Sequence, residues 1–243
     1  MRTLPSGKTQ QLACKEQQMR KGIRELERLL PFQNHPFIVR LYGVGVDSTT
    51  LLLGMELAPH GDLYKFTAVH QYVKKDKARL FYSQILLGLH YMHQARIAHM
   101  DLKPANVLVM GYSHIRLTDF GQAAVMDEDN ECRNGGTVAY QPPEHLGHKK
   151  KMVNGVCQDL WGAAITYVFM VTGCVPWVRA SFCDPSYRAF QRGTIFRHGH
   201  DGWLQFANWE ELEHVANLLH DDPCKRLVPA GYGPKMKTSF PCK

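Results

Sequence analysis

The chain has 243 residues, enough to bury a full core as one large domain or two small lobes. Its 44% hydrophobic and 21% charged residues describe a soluble globular protein, and its +7 charge comes from scattered bases with no aromatic-interleaved stripe, which argues against a nucleic-acid surface. Seven cysteines, with no CxxC pair and no cysteine–histidine cluster at zinc spacing, argue for free thiols in a reducing compartment rather than a disulfide framework or a metal centre.

In chain order, the opening MRTLPSGKTQQ lacks the apolar core of a signal peptide, so a cytoplasmic location is expected. Three segments then read as short strands: QQLACKE, FIVRLYGV and TLLLGME. Among them lies a charged helical stretch, QMRKGIRELERLL, with apolar residues at Ile23, Leu26, Leu29 and Leu30. ELAPHGDL, rich in turn formers, reads as a linker. Beyond it, ARLFYSQILLGLHYMH and LWGAAITYVFM repeat apolar residues at helical spacing. The longest nearly apolar run, Leu160 to Val171, is too short to span a bilayer and reads as a buried helix, so no membrane partner is expected. The basic run Lys149 to Lys151 reads as a solvated loop. The expected architecture is α+β. A small β-rich N-terminal lobe, residues 1–57, is joined to a larger helical lobe, residues 58–243, with a cleft at the linker.

The chemistry concentrates in HMDLKPANVLV and, shortly after it, Asp119-Phe120-Gly121. Asp101, Asn106 and Asp119 offer hard oxygen ligands for magnesium and a spare carboxylate to accept a proton. Lys103 adds a charge able to steady a transferring phosphoryl group. A lone DFG is a weak signal; the ordered set DLKPAN, DFG and GTVAYQPPE is far more specific.

That set resembles the eukaryotic protein kinases of the serine/threonine type, over roughly residues 10–228. HMDLKPAN is similar to the Mos-like kinases; ELAPHGDLY and VTGCVPW resemble the SH3-binding-domain kinases. The resemblance implies a bilobal kinase fold that uses ATP and Mg2+ to phosphorylate Ser or Thr of a protein substrate. It makes Asp101 the base, places Lys103 on the γ-phosphate, and gives Asn106 and Asp119 to magnesium. Ala13 and Lys15, in LACKE, would line the nucleotide site, the lysine as a strand residue on the α- and β-phosphates. Its ion-pair partner would be Glu25, with Glu27 as the alternative. Met55 would guard the back pocket, Glu56 and Ala58 would offer backbone groups to adenine, Leu108 would lie beneath the ring, and Asp62 would reach the ribose. Thr137 would brace Asp101 and Lys103, Asp159 would brace the catalytic loop, and Glu144 would pair with Arg226.

Two departures stand out. Met100 replaces the arginine that in the family neutralises an activation-segment phosphate, and residues 122–136 contain no Ser, Thr or Tyr. A site wired without the phosphate switch is expected, its acidic residues 127–131 pairing with Arg133 or with Arg20, Lys21 and Arg24. Second, no G-x-G-x-x-G precedes Lys15, and GYGPKMKTSFPCK shows no final helix, so the sequence reads as a fragment or as a kinase without its glycine lid. The alternative function is a pseudokinase serving as a binding or scaffold module.

Overall fold

A computed structural model describes residues 6–47, 50–146, 152–193 and 209–226. The basic run 149–151 and the C-terminal GYGPKMKTSFPCK lie outside the described residues.

Helix α1, Ser6–Leu29, opens the described chain. This corrects the reading of QQLACKE as a strand. The segment is made of Gln, Leu, Ala, Lys and Glu, strong helix formers without β-branched residues, so it runs on into the expected helix. Of the apolar positions expected on that helix, Leu29 is fully buried and Leu26 half-buried, while Ile23 and Leu30 are exposed. Strands β1, Leu41–Val46, and β2, Leu51–Met55, form an antiparallel hairpin. Only the second half of FIVRLYGV is in that hairpin. Its first half runs beside a later strand, with Ile38 bridging Leu117.

Helix α2, Leu63–His70, starts where Asp62 accepts a hydrogen bond from the Lys65 amide at 2.8 Å, a side-chain N-cap. Helix α3, Lys75–Gln94, buries Ala78, Phe81, Ile85, Leu89 and Met92, a stripe at helical spacing. That stripe packs on helix α4, Gly155–Thr172. Every residue of α4 from Gly155 to Val171 is buried, so its apolar character reflects a position in the core. No described helix is long and apolar enough to cross a membrane. Short strands frame the loops around α4: β3, Ile97–Ala98; β4, Val107–Gly111; β5, His114–Leu117; β6, Ala124–Val125; β7, Glu131–Arg133; and β8, Met152–Asn154. They pair antiparallel as β4 with β5, β3 with β6, and β7 with β8. Helices α5, Pro185–Gln191, and α6, Trp209–Leu218, complete the helical part.

The expected pair between distant segments is present. Arg226 donates through Nη1 to Glu144 Oε1 at 2.5 Å and through Nη2 to Oε2 at 2.7 Å, a bidentate fork. The Arg226 side chain is 3% exposed and its guanidinium lies 4.7 Å from the Trp161 ring centroid, so water screens the pair little. Breaking a buried pair from one side costs about 3–5 kcal/mol. Arg226→Ala is therefore expected to melt about 6–20 °C below the parent by circular dichroism. A parent-like melting temperature would show that the fork does not tie the C-terminal segment to the core.

Candidate active site

The loop between β3 and β4 is shaped by one buried carboxylate. Asp159, on α4 and wholly inaccessible, accepts from the His99 amide at 2.7 Å and the Met100 amide at 2.8 Å. His93 also donates to it through Nε2 at 2.8 Å. Met100 needs this support, because its φ of 68° is left-handed and strained for a residue with a side chain. Its carbonyl fits against Gly136, where a Cβ would lie 2.2 Å away, so only glycine is accommodated there.

Held in this way, the loop presents Asp101, which is 7% exposed. Its Oδ1 accepts from the Thr137 amide at 2.8 Å and the Thr137 hydroxyl at 2.6 Å. Its Oδ2 accepts from Lys103 Nζ at 2.7 Å, and that ammonium also donates to Thr137 Oγ1 at 2.8 Å. Asn106 donates through Nδ2 to the Asp101 carbonyl at 2.9 Å, which leaves its amide oxygen as the acceptor end. The Asn106 carbonyl in turn accepts from the Thr118 amide at 3.0 Å, fixing the residue before Asp119 against the loop. Asp119 itself is exposed and left-handed, at φ 63°. Next to it Phe120 is buried, its ring centroid 5.5 Å from that of His99 and 6.2 Å from that of Phe32. The exposed Asp119 carboxylate and the Asn106 amide oxygen, on segments joined by the Thr118–Asn106 hydrogen bond, are hard oxygen donors of the kind that fit magnesium.

Glu25 reaches the same place from α1. It is half-buried, and both it and Asp119 crowd Gly121, where a Cβ would lie 3.9 Å from Glu25 Oε2 and 3.2 Å from Asp119 Oδ1. Burial raises the Glu25 pKa above its ordinary value, and the Asp119 charge raises it further. Glu27, the alternative, is exposed. The expected strand placement of Lys15 is corrected, because it and Glu25 both lie on α1, ten positions apart. That interval is about 15 Å of helix rise. Ala13 shares that helix rather than a strand.

The linker residues are arranged as follows. Met55 ends β2 and is 38% exposed. The Glu56 amide donates to the Arg40 carbonyl at 2.9 Å, and the Ala58 carbonyl accepts from Gly61 at 3.1 Å. Asp62 bridges Leu108 on β4, bringing those two expected residues together. The sequence reading missed Arg116, a buried arginine on β5. Its Nε lies 3.0 Å from Glu56 Oε2, at ion-pair distance without hydrogen-bond alignment, and its Nη1 donates to the Ile38 carbonyl at 2.8 Å. Burial lowers its pKa from the ordinary value, while Glu56 opposes the shift. The only signal in the sequence was a cation between the apolar Ile115 and Leu117.

The segment that follows Asp119 is held by sulfur packing and by Arg96. Met100 is 1% exposed, and the Cys132 thiol approaches its sulfur at 3.3 Å. Burial pushes the Cys132 thiol up to about 12, with nearby carboxylates adding to the shift, so it stays neutral. Gly155 lets the layers close, since a Cβ there would meet Ala98 at 2.6 Å, Cys132 at 3.0 Å and Met126 at 3.1 Å. The acidic turn is held by a base other than those expected. Arg96 Nη1 donates to the carbonyls of Asp127 at 3.1 Å and Glu128 at 3.3 Å and to Asn130 Oδ1 at 3.2 Å.

Comparison with known proteins agrees with this geometry. The family model for the protein kinase domain matches residues 7–230. The chain is 26% identical over 226 residues to serine/threonine-protein kinase CHK1 of Mycosarcoma maydis, covering 90% of this chain and 32% of that protein. It is 33% identical over 222 residues to serine/threonine-protein kinase RAD53 of Saccharomyces cerevisiae, covering 85% of this chain and 26% of that protein. With death-associated protein kinase 2 of Mus musculus it shares 30% identity over 221 residues, 86% of this chain and 58% of the relative. It thus spans only part of the length of each of these relatives. With a match over nearly all of its residues, the chain belongs to the protein kinase domain family, and its relatives are serine/threonine kinases.

Proposed function

We propose that the chain transfers the γ-phosphoryl group of ATP to serine or threonine hydroxyls of a protein substrate in the cytoplasm. The observation that carries this reading is the Asp101 carboxylate, fixed on both oxygens by Thr137 and Lys103. In that position it orients a substrate hydroxyl and accepts its proton as the oxygen bonds to the γ-phosphorus and the bond to ADP breaks. Lys103 places a positive charge beside the proton acceptor, where the transferring group gathers negative charge. Asn106 and Asp119 are the residues to hold Mg2+, which when bound neutralises phosphate charge. Glu56 and Ala58 offer the backbone groups for adenine, with Met55 behind the pocket, Leu108 beneath the ring and Asp62 toward the ribose.

The place of Lys15 on a helix favours a second reading, a nucleotide-binding or scaffold module without turnover. A radiolabelled transfer assay separates the two. Asp101→Asn is expected to lower turnover by about 10²–10⁴-fold with the melting temperature kept; absence of transfer by the parent supports the module. Asp119→Ala is expected to abolish magnesium-dependent nucleotide binding without unfolding, and unchanged Mg–ATP affinity by calorimetry would defeat the assignment.

Arg116 acts one step away, through the Glu56 carboxylate at ion-pair distance and the Ile38 carbonyl it binds. Arg116→Met is expected to weaken ATP binding about tenfold while turnover at saturating ATP stays within about twofold. An equal loss in both quantities would assign it a purely structural role.

Activity is also expected to be independent of activation-segment phosphorylation, because the segment is closed by neutral packing and Arg96. Phosphatase-treated protein, confirmed as unmodified by mass spectrometry, should phosphorylate peptide at about the untreated rate. A loss of about tenfold, restored by phosphorylation within the segment, would refute this.

A further inference from the structure

We propose that a cleft between the end of α2 and the start of α3 docks an acidic peptide segment that carries a large apolar side chain. The cleft has a volume of about 290 Å³ and is walled by Phe66, His70, Tyr72, Val73, Lys74 and Lys77. That volume lies at the lower end of the range for small-molecule sites, about 300–1,000 Å³, and suits one apolar side chain better than a cofactor. Its inner wall is fixed. Phe66 and Val73 are buried, the Val73 amide donates to the Met170 carbonyl of α4 at 2.7 Å, and the Phe66 and His70 rings stack at 4.4 Å. Tyr72 is 46% exposed, giving the opening an aromatic lip.

The charge around this opening selects the partner. Lys74, Lys75, Lys77 and Arg79 stand against the single carboxylate of Asp76. Asp76 lies 3.6 Å from Arg79, so its charge is directed to a base that does not line the cleft. Lys77 is held in position over two rings, 5.6 Å from the Phe66 centroid and 4.9 Å from that of Tyr112. Among the described residues no carboxylate pairs with Lys74 or Lys77. Carboxylates of an extended acidic segment complement these ammonium groups, while one leucine-like side chain fills the cleft between them. A concave cavity with a few fixed charges favours a peptide over a membrane surface, which offers no single side chain to fill it.

Position adds a use. The cleft lies toward the C-terminal end of α2, its lining beginning at Phe66, about 6 Å of axial rise beyond the Asp62 cap. A substrate tethered at the cleft gains effective concentration at the active site.

The test is fluorescence polarisation with the whole chain and a labelled peptide of alternating glutamate and leucine. Saturable binding is expected, weakened about tenfold by Lys74→Glu combined with Lys77→Glu and about threefold by Tyr72→Ala. Lys77→Glu also removes the ring contacts, so the exposed Lys74→Glu is measured alone; a loss of about threefold with parent-like melting is expected. An all-glutamate peptide of equal length should bind about tenfold more weakly than the mixed one. Three results would overturn the proposal: unchanged affinity in the charge-reversed proteins, equal affinity for the all-glutamate peptide, or no binding by the parent up to about 1 mM peptide. A fourth would be loss confined to phosphatidylserine vesicles, which would identify a lipid surface instead.

Discussion

Asp159 is the constraint on which the catalytic loop depends. A carboxylate with no access to water is stable only when its oxygens are fully engaged, and here they take two consecutive backbone amides and a histidine. Those bonds hold Met100 in its left-handed turn, and the turn aims Asp101 at Thr137. Because Asp159 is fixed on the helix that forms the centre of the core, the accuracy of the polar cluster is inherited from the packing of α4. A loop held only by its own turns would lack that accuracy.

The same arrangement explains how a methionine is accommodated where the kinase resemblance implies an arginine. An arginine at this place needs a negative partner, and without one its burial would cost several kcal/mol. Met100 instead meets Cys132, and the segment carrying that cysteine is held by pairing of β7 with β8. Gln158 adds a polar clasp, donating to the carbonyls of Met100 at 2.5 Å and Gly135 at 2.8 Å. Charge remains useful only at the outer turn, where Arg96 meets carbonyl oxygens in water-exposed surroundings.

What was legible in the sequence was chemistry at fixed spacing. Asp101, Lys103, Asn106 and the Asp119-Phe120 pair are local enough that the chain itself brings them near one another. The Glu144–Arg226 fork was legible only through resemblance, since nothing in either segment names its distant partner. Helix-forming residues in QQLACKE carried the correct local signal, which was outweighed by the segment's shortness and by the strand-like segments nearby. Arg116 and Arg96 were not legible, because a lone arginine looks the same whether it meets solvent, a carboxylate or a row of carbonyls. Pairing of β7 with β8 was hidden for a similar reason: three-residue strands carry too little periodicity to register.

The sulfur contact between Met100 and Cys132 has a thermodynamic consequence. Attraction between a phosphate and an arginine fades as salt is added, whereas exclusion of water from an apolar junction is nearly indifferent to ionic strength. That junction responds to temperature instead, because the hydrophobic driving force weakens on cooling. An activation segment fastened in this way keeps its hold in concentrated salt and loosens first in the cold, the opposite order from one fastened by charge.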